Sequence, residues 1–119
     1  MENKYTDLSK FNTYEVLKNK LTLSDVLILN WIKINIDAKN LTEVDLFGKK
    51  YYSIQGKLIF KEIGECGVRS SDTAMRKLKN IPSGIIDIVN GEFPNKDYGY
   101  SRIAVRLGKK FYDLYEGEE

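Results

Sequence analysis

Residues Leu58 to Leu78 read LIFKEIGECGVRSSDTAMRKL, and this stretch decides the fold. Leu58, Ile59 and Ile63 are spaced for a short helix with one apolar side, which Gly64 and Gly67 break. Ser70 and Ser71 are both N-cap residue types. Either can open a second helix carrying Thr73, Arg76, Lys77 and Lys79. Within it Ala74, Leu78 and Ile81 fall at i, i+4 and i+7, which predicts a helix over 70–81 with that side inward. Pro82 and Gly84 end it. Two such helices form a helix-turn-helix, a unit that presents the start of its second helix to a groove, most often the major groove of duplex DNA.

The flanks extend this unit. After it, Ile85 to Val89 and Tyr100 to Leu107 read as two strands joined by the polar loop NGEFPNKDYGY. In the second strand Ser101, Ile103, Val105 and Leu107 alternate with Tyr100, Arg102, Ala104 and Arg106. The first set is expected to face the core, leaving Arg102 and Arg106 on the open face. Before the unit, Lys50 to Ile54 reads as a short strand and Gln55 to Lys57 begins the first helix. Asn40 to Lys50 reads as a polar connection with apolar anchors at Leu41, Val44, Leu46 and Phe47.

Further upstream, Thr22-Leu23-Ser24-Asp25 signals the start of a helix ending near Ala38, with Leu23, Leu27, Trp31 and Ile34 in one stripe. Asn12-Thr13-Tyr14-Glu15 fits a capping box for a shorter helix reaching Leu21. Residues 1–11 read as a flexible leader, 12–115 as one domain and 116–119 as an acidic tail. A last amphipathic turn is expected through Phe111, Leu114 and Tyr115. The expected fold class is α+β, a winged helix-turn-helix. It would have a three-helix core, a short strand, a two-stranded wing and extra terminal helices.

Composition excludes several functions. The chain has 119 residues, no histidine and one cysteine, Cys66, so a zinc site or a Cys–His nucleophile is not expected. No glycine-rich phosphate loop is present, and no paired-carboxylate spacing stands out. An enzyme, a metal and a cofactor are therefore not expected. The apolar run Val26 to Leu29 is far too short to span a bilayer, and residues 1–10 lack the apolar region of a secretory signal. The expected location is the cytoplasm, with no membrane partner.

Charge is unevenly placed. The net charge is +2, but residues 1–48 carry −1, residues 49–82 carry +5 and residues 83–119 carry −2. The excess lies where phosphate neutralisation by a helix-turn-helix needs it. Arginine is rarer than lysine: Arg69 and Arg76 fall at the second helix, and Arg102 and Arg106 lie on the second wing strand. Its planar fork suits bidentate contact with guanine or phosphate, though chance clustering or internal ion pairs are the alternative for all four.

The segments GKKYYSI, KEIGECGVRSSDTAMRKLKNI and SGIIDIV, followed by a closing aromatic strand, resemble winged-helix domains of phage and plasmid replication initiators. The resemblance covers roughly residues 22–115. It implies a partner, double-stranded DNA, contacted by Arg69, Ser70, Ser71, Thr73, Arg76 and Lys77 from the recognition helix. Lys96 and Arg102 would be the wing's contribution. RIAVRLGKKFYDLY is also similar to the end of small winged-helix transcription regulators, which form homodimers through terminal helices. Here those helices are the one from Tyr14 to Leu21 and the last, near Phe111 and Tyr115, with simple capping of the core the alternative for both.

Winged helices also bind proteins, and fold alone does not grant function. The alternative is a protein-interaction module, such as a phage-encoded inhibitor of a host or defence complex. Tyr51, Tyr52, Phe93, Tyr98 and Tyr100 would then anchor the partner.

Overall fold

The computed structural model describes residues 4–64, 70–97 and 99–116. Helix α1 (Thr13–Lys18) opens with the Asn12 side chain accepting from the Glu15 amide at 3.0 Å. Helix α2 (Leu23–Asp37) has a full capping box. Thr22 Oγ1 accepts from the Asp25 amide at 3.2 Å, and the Asp25 carboxylate accepts from the Thr22 amide at 2.8 Å. The predicted stripe is only part of what α2 buries. Every residue from Val26 to Lys33 is buried, so this helix is enclosed on all sides. Leu23, the first helical residue, is 67% exposed and lies outside the core.

The segment 40–50 is not a simple connection. Strands β1 (Thr42–Leu46) and β2 (Lys49–Ile54) form an antiparallel hairpin with Val44 opposite Tyr51. Phe47 and Gly48 join them with φ of 55° and 74°, the type I′ sense whose twist matches the strands. Helices α3 (Gly56–Ile63) and α4 (Ser71–Asn80) follow, then strands β3 (Ile86–Asn95) and β4 (Gly99–Leu107) and helix α5 (Phe111–Leu114). The four strands form one antiparallel sheet in the order β1-β2-β4-β3. The architecture is mixed α+β, with five α-helices among the described residues.

The β3–β4 hairpin differs from the expected short strands and long loop. Strand β3 runs on to Asn95, and β4 begins at Gly99. A bulge interrupts the pairing: Asn90 opposes Ile103 and Phe93 opposes Ser101, so Gly91 and Glu92 face the single residue Arg102. The alternation predicted for β4 breaks at this point. Ser101 does not join the main core. Its hydroxyl lies 2.8 Å from that of Ser53, which also accepts from Asn95 Nδ2.

The main core joins α2 to Ile59 and Ile63 of α3, Ala74 and Leu78 of α4, and Ile54, Ile103 and Val105 of the sheet. Phe111, Leu114 and Tyr115 close it at one end. A second cluster of Tyr51, Phe93 and Ala104, flanked by Val44, Leu46 and Val89, forms apart from it. The segment expected as a loose leader carries a buried side chain, Tyr5. Its backbone carbonyl accepts from Asn30 Nδ2 at 2.8 Å, and its hydroxyl donates to Glu62 at 2.8 Å. Trp31 Nε1 donates to the other oxygen of Glu62 at 3.1 Å, tying α2 to α3.

Lys33 is buried too, its ammonium 3.1 Å from Asp37 and near the rings of Tyr112 and Tyr115. Burial opposes its charge, yet the Asp37 hydrogen bond and the neighbouring tyrosines hold its pKa above the usual lysine value.

Candidate functional site

Helix α4 is the scaffold of the site. Ala74 and Leu78 lock one side into the core, and Asp72, Arg76, Lys79 and Asn80 lie exposed on the rest. Ser70, rather than Ser71, is the N-cap. Its Oγ accepts from the Thr73 amide at 3.1 Å and donates to Thr73 Oγ1 at 3.0 Å. The hydroxyls of two predicted contact residues therefore already serve the helix start. Ser70→Ala is expected to cost about 1 kcal/mol, whereas Ser71→Ala should stay within about 0.5 kcal/mol. Paired urea titrations check this, and the reverse order of losses would move the cap to Ser71.

Glycine at position 56 lets α3 start against α4. A Cβ there would lie 2.6 Å from the Ser71 carbonyl oxygen and 2.7 Å from Met75 Cγ. Met75 thus lies across the beginning of α3, half-buried, and lines two hollows beside α4 of about 380 and 560 Å³. Arg102 lines both as well, and Lys57 and Lys79 line one each. The bulge opposite Arg102 places it in the same hollow as its chain neighbour Ile103, a re-aiming that strict alternation forbids.

The predicted residues therefore divide. Ser71, Thr73, Arg76 and Lys77 share α4, Ser70 caps it, and Arg102 joins that helix across the hollows. Lys96 does not. It sits exposed at the turn after β3, its amide donating to Thr42 Oγ1 at 3.1 Å. It lines a separate hollow of about 320 Å³ with Lys4, Asn35 and Lys61. Arg106 does not share an open face with Arg102: its guanidinium lies 3.8 Å from Asp87. Arg69 and Tyr98 lie outside the described residues. Arg76 has no carboxylate partner among the described residues.

Sequence reading missed Lys57 and Met75. Lys57 belongs to the basic segment 49–82, so the charge signal contained it, but only the packing of α3 on α4 brings it beside Arg102. Of the two terminal helices considered for pairing, α5 is packed into the core through Phe111 and Leu114, while α1 exposes Tyr14 and Leu17.

No protein family, curated protein or solved structure matches the chain. Among the described residues no helix is long and apolar enough to cross a membrane. No cluster of three or more histidine, cysteine or acidic side chains there could hold a metal ion.

Proposed function

We propose that this chain is a winged-helix protein that binds duplex DNA through α4 and the β3–β4 hairpin, in a replication-initiator or regulatory role. The observation that carries the reading is α4 itself. One side is fixed in the core, and the other offers Arg76 and Lys79 to solvent, with Lys77 half-buried beside them. The chain order supports it: α2, strand β2, α3, α4, then a hairpin whose second strand pairs with β2. Arg102 of that hairpin lies on the α4 side, where a groove-bound helix needs a flanking cation.

Binding of labelled random-sequence duplex, followed by fluorescence anisotropy at several salt concentrations, tests the reading. If Arg76, Lys77, Lys79 and Arg102 each neutralise one phosphate, affinity should fall with a log–log salt slope of roughly −3 to −4. If Arg76 instead makes a bidentate base contact, Arg76→Ala is expected to lose about 1–3 kcal/mol of binding while melting as the parent does, because the side chain is exposed. Absence of duplex binding at low salt defeats the proposal.

One observation favours a second reading, a protein-interaction module. Phe47 is 80% exposed at the tip of the β1–β2 hairpin, its ring 6.4 Å from Tyr51. The half-buried Val44, Leu46 and Val89 lie around that cluster. Such a surface would give a partner affinity that responds little to salt.

A further inference from the structure

The two hollows beside α4 have walls of a different character from the exposed side of the helix. They share Met75 and Arg102 and so adjoin one another. In the first, Tyr100 is 47% exposed, and the Gln55 side-chain amide donates to its backbone carbonyl, holding β4 to the start of α3. Lys57 stands on the same wall system. In the second, Asn90 and Glu92 supply an amide and a carboxylate beside Met75, with Lys79 at the α4 wall. An aromatic side chain, a thioether, cations from α3, α4 and β4 and a few hydrogen-bonding groups suit a flat, polar-edged ring attached to phosphate. Hollows of this size are too small to admit a duplex, whereas unpaired bases enter such pockets one at a time.

We infer that this groove binds a single strand of nucleic acid, one base against Tyr100 and the next beside Asn90 and Glu92, with Arg102 on the phosphate between them. The inference deepens the proposed function and rests on α4 being a nucleic-acid site, adding a single-stranded segment to the duplex. The bulge at Gly91 and Glu92 has a direct use in this arrangement. It places Arg102 in both hollows and Glu92 at the rim of the second.

The test compares a labelled single-stranded oligothymidylate with a random-sequence duplex on the parent chain, Tyr100→Ala, Tyr100→Phe and Arg76→Ala. Tyr100→Ala is expected to weaken oligothymidylate binding roughly 5- to 150-fold, the worth of one stacked base. Tyr100→Phe should restore it, and Tyr100→Ala should leave duplex affinity unchanged. Arg76→Ala should instead weaken the duplex complex. Circular dichroism melting of each variant confirms that the fold persists. If the parent chain does not bind the oligothymidylate, or Tyr100→Ala binds it as well as the parent does, the inference is overturned. Failure of the duplex arm alone, with Tyr100-dependent single-strand binding intact, overturns the duplex reading and supports the groove.

Discussion

Trp31→Ala is expected to remove about 3–5 kcal/mol of stability, the range for deleting a large aromatic side chain from a core. Trp31 is fully buried at the centre of α2, and its indole N–H donates to Glu62 on α3. Two losses coincide in the variant: a cavity beneath the helix pair, and the removal of a donor from a carboxylate that also takes the Tyr5 hydroxyl. Because domains of this kind have only about 5–15 kcal/mol of net stability, the substitution consumes a large share of it. Trp31→Phe separates the two terms. It keeps most of the volume and lacks the N–H, so it should lose about 1–3 kcal/mol. Urea unfolding followed by circular dichroism measures both. Equal losses in the two variants would place the whole effect in the Glu62 hydrogen bond and none in packing.

The other large effect is expected at Gly108. The chain leaving β4 crosses the turn between α4 and β3 so closely that a Cβ at Gly108 would lie 2.0 Å from the Gly84 carbonyl oxygen. Both walls are backbone and cannot rotate aside. The crossing is locked by the Gly108 amide donating to Ile85 O at 2.9 Å and the Lys110 amide donating to Gly84 O at 3.0 Å. Overpacking commonly costs 1–3 kcal/mol, and where backbone must separate from backbone we expect the upper end or beyond, about 3 kcal/mol or more. The Gly108→Ala melting temperature should then fall by roughly 10–20 °C. Separation at this point also undocks α5, whose Phe111 and Leu114 are fully buried just downstream. A variant that melts with the parent would show that the crossing yields without strain.

The elements read most directly from the sequence are those with local chemical signals. Thr22 and Asp25 cap α2 as a reciprocal pair, Asn12 caps α1, and Gly64 ends α3. Ala74 and Leu78 of α4 and the adjoining Ile81 are buried as their spacing predicts. Strand β1 was harder to see. Thr42, Val44 and Leu46 alternate with Glu43 and Asp45, but the hairpin turn is Phe-Gly, not the Asn-Gly or Asp-Gly that advertises a type I′ turn. The N-terminal segment was obscure for another reason. Tyr5 is buried and Leu8 and Phe11 pack on the core, but nothing near Tyr5 in the chain names Asn30 and Glu62 as its partners.

The candidate site shows the same division. The basic segment and the helix that displays Arg76 are visible in the residue order. Their neighbours are not. Strict alternation along β4 put Arg102 with Arg106 on one open face. A single extra residue in β3 breaks that alternation, bringing Arg102 beside Met75 and leaving Arg106 with Asp87. Lys96 belongs to the hairpin in sequence but to another hollow in space.

The sequence by itself determined where most helices start and stop and which side of α4 is buried. Caps, glycines and helical spacing act between residues a few positions apart. Only the tertiary structure decided the strand order, the bulge, the enclosure of α2 and the groove between Met75 and Arg102. Each of these depends on contacts between residues distant in the chain, and their geometry is set when the backbone closes on itself.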